Sequence, residues 1–208
     1  MINPQLTEFA KHDLARLAVF LNAPDVKTQT EAIEEAVQVN LLLADAAVYA
    51  LQTGQDRYFV SERLHSFGSV IVEPLKALLT ESLDGEVQIL AALVLLRLGS
   101  KAGLPVLVDA VLTEPTDRYA SLIVERLAAN GIHEAADAMT TRLRQFSLES
   151  VDLGKSFESN PNKDFVVSLL SAIQTFGVAL PPDLQQRFIA QEVPVEITAL
   201  LADHRRAA

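Results

Sequence analysis

His133-Glu134-Ala135-Ala136-Asp137 is the string in this chain that comes closest to a catalytic motif. A zinc protease helix needs a second histidine four residues after the first, so that both imidazoles share one face beside the glutamate. Asp137 stands at that position, and the string opens a helix just after Gly131, where polar first-turn residues are ordinary. The other histidines, His12, His65 and His204, lie far from it and from one another, so no pair has metal-ligand spacing. The chain has no cysteine, which excludes disulfides, thiolate zinc sites and cysteine nucleophiles. Glu31 and Glu35, four apart, share a helix face and read as a solvated edge. No serine has a nucleophile-elbow context, and no glycine-rich loop offers backbone N–H groups to a phosphate. No catalytic, metal or cofactor-binding residue is therefore assigned, and the chain is expected to be no enzyme.

What remains is surface. Seventeen basic against 27 acidic residues give a net charge of −10. A duplex or an anionic membrane calls for a basic stripe, and the longest Lys/Arg run is Arg205-Arg206. The acidic balance thus argues against nucleic acid and membrane as partners; it is compatible with a basic protein partner and equally with a charge that only keeps the chain soluble. The polar stretch Ser147 to Pro161 is the longest in the chain and carries Glu149, Asp152 and Glu158. Loops of that length inside a compact helical array are uncommon and often either functional or disordered, so the stretch reads as a plain surface excursion or as part of a binding surface. Beside it fall the polar positions of the preceding helix, Asp137, Thr140, Thr141 and Arg144. These seven residues form the expected partner-binding surface.

The elements that must position them are helices. Half of the residues are apolar and aromatics are scarce, so Leu, Val, Ile and Ala must build the core. Pro4 to Leu21 reads as an amphipathic first helix; Arg16 interrupts its apolar run, so it is not a signal core. Thr28 to Gln52 reads as a long second helix, glutamate-rich at its N-terminal end, with Leu41 to Leu51 expected to be buried. Helix pairs follow: Asp56–Phe67 with Val70–Thr80, Val87–Leu98 with Pro105–Leu112, Thr116–Ala129 with His133–Arg144, and Lys163–Phe176 with Pro182–Ala190. The first helix of each pair stops at a glycine (Gly68, Gly99, Gly131, Gly177), and these lie 31, 32 and 46 residues apart. The last interval equals one period of about 32 plus an insertion of about 14. Tyr49, Tyr58 and Tyr119 fall at core-like helix positions. A terminal helix, Val195 to Asp203, closes the chain. No stretch is long and apolar enough to span a bilayer. With no cysteine in the chain, a cytoplasmic location is expected.

Asp84 to Leu112, DGEVQILAALVLLRLGSKAGLPVLVDAVL, resembles a HEAT-like repeat of the bilin-lyase type. Asp84, Val87, Ala91, Leu95, Leu98, Gly99, Ala102, Pro105 and Leu107 match that pattern, and Gln88 stands where it has arginine. The resemblance extends more loosely over Asp56 to Ala190. It implies an all-α solenoid of antiparallel helix pairs in a single domain: residues 1–54 as N-terminal capping helices, 55–190 as about four pairs with an insertion at 147–161, and 191–208 as terminal helix and tail. It implies a tendency to bind proteins and no chemistry; the size, the acidic charge and the lack of catalytic residues make an antagonist or immunity-type protein that masks a basic partner the most concrete version of a protein-binding module. HEAT-like proteins also include bilin lyase subunits and DNA glycosylases, which makes an enzyme or enzyme subunit the alternative; a structural role, with the apolar N-terminal helices as a homodimer seam, is the third. Oligomeric state is left open by the sequence.

Overall fold

The computed structural model describes residues 15, 16, 18–116, 118–146, 161–189 and 195–207, and every regular element among them is helical. The chain divides into two compact units, Met1–Leu75 and Lys76–Ala208. No helix among the described residues is long and apolar enough to cross a membrane.

The first unit is built on helix α1, Val26–Thr53. Asp25 starts it by accepting the backbone N–H of Thr28 at 2.8 Å, and that bond holds the Asp25 carboxyl below its ordinary range. Gly54 ends it, donating its N–H to Ala50. Helix α2, Arg57–Leu64, is capped by Asp56 and runs into a 3-10 stretch, His65–Ile71, interrupted at Gly68. Both pack on α1. Yet α1 buries only Ala32, Ala44, Val48 and Leu51. The expectation that Leu41 to Leu51 is covered is corrected here: Leu42 is 68% and Tyr49 64% exposed, and Leu41 and Leu43 are exposed too. The neighbours of α1 cover one stripe, and a helix apolar over a wider arc shows the rest to solvent. Tyr58 is likewise exposed, so Tyr49 and Tyr58 are not core residues.

Helix α3, Val72–Glu81, carries the division between the units. The second unit then runs through α4 (Gly85–Arg97), α5 (Leu104–Thr113), α6 (Ala120–Ala129), α7 (Ala136–Gln145), α8 (Pro161–Thr175), α9 (Pro182–Ile189) and α10 (Val195–Ala207). Helix α4 begins at Asp84, whose carboxylate accepts the N–H groups of Glu86 and Val87, an N-cap that satisfies donors with no helical partner. It buries eight of its thirteen residues, as a helix apolar nearly all round must. Gln88 donates from one amide nitrogen to the carbonyls of Leu79 and Ser82, tying α4 to the end of α3 and the turn after it.

Each of α4, α6 and α8 closes in the same way. Gly99, Gly131 and Gly177 have φ of 78°, 64° and 67°. Each glycine N–H donates to the carbonyl three residues back, and the next residue's N–H to the carbonyl five back: Gly99 to Leu96 with Ser100 to Leu95, Gly131 to Ala128 with Ile132 to Leu127, Gly177 to Gln174 with Val178 to Ile173. This is the Schellman closure, which needs a left-handed residue and hence favours glycine. After the first two closures comes a three-residue 3-10 turn, Lys101–Gly103 and His133–Ala135, then a ten-residue helix, α5 or α7. Helix α5 packs on α4, α6 and α7; α8 packs on α6, α7 and α10. Ile123, Leu127, Met139, Phe165, Leu169 and Phe188 are among the buried side chains that join these helices in one core.

Candidate functional site

An open cleft of about 210 Å³ lies in the second unit, between α4, α5 and the turn that leads into α6. Ile89, Val106 and Ala110 contribute apolar wall, and Glu86, Gln88, Asp109, Thr113, Glu114 and Arg118 contribute polar groups. Helix α4 supplies Glu86 from its first turn; α5 supplies Asp109 from its middle and Thr113 from its last residue. Asp109 and Thr113 are exposed and Glu86 is half-buried, while their neighbours Val87 and Leu107 face the core.

The Glu86 side of the cleft is tied down by a hydrogen bond. The Tyr119 phenol donates to Glu86 Oε1 at 2.7 Å. Burial, then the Glu86 carboxylate, push the Tyr119 phenol up to about 12. The turn beside it is held by Arg142 of α7, whose two Nη groups donate to the carbonyls of Leu112 (2.8 Å) and Glu114 (3.2 Å) at the end of α5. Its guanidinium also lies 5.7 Å from the centre of the Phe165 ring. A cation at a helix C-terminus meets the negative end of the helix dipole, so Arg142 fixes the rim from behind.

Three carboxylates and one guanidinium around an open cleft favour a cationic group over an anion. The volume is below the roughly 300–1,000 Å³ of small-molecule sites and suits a single side chain. Among the described residues no group of three or more His, Asp or Glu is placed to hold a metal ion. Glu134 pairs with Lys101 at 3.2 Å, which with a backbone hydrogen bond keeps its carboxyl low. His133 lies with its ring centre 5.0 Å from that of Phe176. His65 Nδ1 is 2.9 Å from the Glu62 carbonyl, and His204, buried, has Nε2 3.0 Å from the Leu170 carbonyl.

The surface expected on α7 is only partly a surface. Asp137 and Arg144 are exposed and Thr141 is half-buried. Thr140 is buried, and its hydroxyl donates to the Ala136 carbonyl at 2.9 Å; it offers a partner nothing. Arg144 is tied to α9, with Nε 3.0 Å from Asp183 Oδ2 and its own carbonyl accepting from Arg187. That ion pair raises Arg144 and lowers Asp183. Glu149, Asp152 and Glu158, with most of the 147–161 insertion, lie outside the described residues, as does His12. Glu86, Asp109, Glu114 and Arg118 were missed by sequence reasoning. The signal was there in Asp109, the lone acid inside LPVLVDAVL, and in Glu86, two residues after the capping Asp84 in DGEVQILAAL.

Comparison of the chain with protein-family models, with curated proteins and with solved structures returned no match.

Proposed function

We propose that the chain is a non-enzymatic protein-binding module: a HEAT-like α-solenoid, located in the cytoplasm, that receives a basic side chain of a partner in the cleft of Glu86, Asp109 and Glu114. The observation that carries this reading is the cleft itself, acidic, sized for one side chain, and backed by α4, which buries eight of its thirteen residues. The solenoid part is supported by the recurring Schellman closures and by the packing of α5 on α7 and of α6 on α8. Like helices stacking on like is what an array of pairs requires. The acidic balance of the whole chain adds long-range attraction, which acts chiefly on the rate of encounter. Masking a basic toxin or enzyme is the most concrete form of such a role.

The test is a crosslinking pull-down from the source cells with three full-length baits: the native chain, Asp109→Lys, and a chain whose 147–161 segment is replaced by a Gly/Ser linker. A partner that the native bait captures, that Asp109→Lys loses, and whose crosslinks map to α4 and α5 supports the cleft. Loss with the linker bait alone moves the site to the insertion. Release of a base from alkylated DNA by the native chain would replace the binding reading with the enzymatic one.

A further inference from the structure

Helix α1 is half dressed. At about 100° per residue, Val26, Ile33, Val37, Leu41, Ala44, Val48 and Leu51 fall on one stripe. The C-terminal part of it, Ala44, Val48 and Leu51, is buried. The N-terminal part is the same stripe in the open: Val26 is 77%, Ile33 54%, Val37 52% and Leu41 41% exposed. The open part spans residues 26 to 41, about 24 Å of helix. Its two edges differ. Glu34 and Asp45 run along one, with Glu31 farther round on the same side, and Ala36 and Leu43 lie toward the other; Glu31, Glu34, Asp45 and Leu43 are exposed. Lys27 is the one basic residue of α1, and it sits 3.8 Å from Glu31.

We propose that the N-terminal half of α1 is a docking surface for a partner's amphipathic helix that carries basic residues along one edge. The apolar stripe supplies anchors at the four- and seven-residue spacing that a helix on a helix requires. The acidic edge then sets which helix fits and which way round it lies. Charge decides among occupants. A second copy of α1 brings the same carboxylates and a single lysine, so it leaves the acidic edge unneutralised, and an antiparallel copy sets Glu34 against Glu34. An anionic lipid surface meets the same repulsion. Such docking rests on the protein-binding reading above, yet uses a surface in the other unit, so either can fail alone.

The experiment uses the full-length chain and a synthetic, fluorescein-labelled 18-residue helix with leucines on one stripe and lysines along one edge. Its counterparts carry glutamate for lysine, or the same residues scrambled to destroy the stripe. Fluorescence anisotropy is expected to show micromolar binding of the lysine helix and at least tenfold weaker binding of the other two. Val37→Asp is expected to cost at least tenfold; because Val37 is exposed, helix content by circular dichroism should be unchanged. Glu34→Lys with Asp45→Lys is expected to reverse the preference toward the glutamate helix. Equal binding of the scrambled peptide reduces the effect to net charge and overturns the proposal. So does sedimentation showing a dimer that Val37→Asp dissociates, which makes a second copy the occupant. A Val37→Cys chain that is monomeric and resists a thiol reagent also overturns it, since the face is then covered from within. Peptide binding with no effect of Asp109→Lys separates this surface from the acidic cleft; a captured partner indifferent to Val37→Asp keeps the module and removes α1 from it.

Discussion

Helices α1 and α4 are both rich in apolar residues, and the two units treat them oppositely. Helix α4 has thirteen residues and buries eight; α1 has twenty-eight and buries four. Composition separates them only in part, α4 being the more apolar of the two. Neighbours do the rest. Helix α4 has α5 and the Lys101–Gly103 turn against it, and its buried set (Val87, Leu90, Ala91, Val94, Leu95 and others) covers several sides. Helix α1 meets α2 and the His65–Ile71 stretch, and it buries Ala44, Val48 and Leu51 in its C-terminal half and Ala32 alone in its N-terminal half. Apolar residues are necessary for burial and do not by themselves supply the partner that covers them.

The sharpest way to break that contrast is to cut the same kind of side chain in both helices. Leu95→Ala in α4, at a position fully buried, should cost about 2–5 kcal/mol, the lost transfer energy plus the cavity left behind. Val37→Ala in α1 should stay within about 0.5 kcal/mol. Urea denaturation of the two variants reads both. Similar costs for both would mean that α1 is covered as thoroughly as α4.

Gly103 comes next. A methyl group there would stand 2.6 Å from both Cα and Cβ of Ala92, so the Lys101–Gly103 turn approaches α4 as closely as backbone can. Thirty-two residues on, Ala135 occupies the matching place in the His133–Ala135 turn and is fully buried. One turn has room for a methyl and the other has none. Gly103→Ala should therefore destabilise by about 1–3 kcal/mol through overpacking, while Ala135→Gly removes only packing and should cost less. Thermal unfolding of the pair would show whether the two turns differ as their contacts say.

How much of this was legible in the residues can be told from particular positions. The helical class was, because Val87 to Leu98 and Lys163 to Phe176 are too long for strands and contain no Gly or Pro. The four stopping glycines were, because a helix closing in the left-handed region favours glycine, and all four have positive φ. Thr140 was misread because a polar residue in a helix looks like a surface residue until the i−4 carbonyl that satisfies its hydroxyl is seen. The exposure of Leu42, Leu43 and Tyr49 was misread because a single sequence does not say how many neighbours a helix has. The cleft was missed because Glu86 and Asp109 are 23 residues apart in sequence and meet only when α4 and α5 pack.

Smaller effects sharpen the comparison at the helix starts. Asp84 receives two backbone N–H groups at the start of α4 and Asp25 one at the start of α1. Asp84→Ala should cost about 1 kcal/mol. Asp25→Ala acts on a fully exposed end beside the uncovered face, and hydrogen exchange should report local fraying there with little change in global unfolding. Exchange that accelerates equally along α4 and α1 in both variants would mean that the caps act on one cooperative unit.

The smallest expected effect is at Tyr119, and its sign follows from linkage. In the folded chain the phenol titrates near 12 against an ordinary 10.0. The folded state therefore holds the proton more tightly than the unfolded chain does. Whatever stability this supplies is complete below pH 10 and is lost as pH rises from 10 toward 12, where the unfolded chain gives up its proton and the folded one has not. Tyr119→Phe removes the donor to Glu86 and leaves the ring. At neutral pH the loss should be no more than about 1 kcal/mol, because the site is open to solvent and the bond is screened. Between pH 10 and 12 the native chain should lose stability faster than the variant, so the gap between them closes as pH rises. Melting temperatures of both at intervals from pH 8 to 12 test this. A gap that stays constant would mean that the phenol and Glu86 are not coupled, and the cleft would lose the bond by which Tyr119 holds its acidic wall.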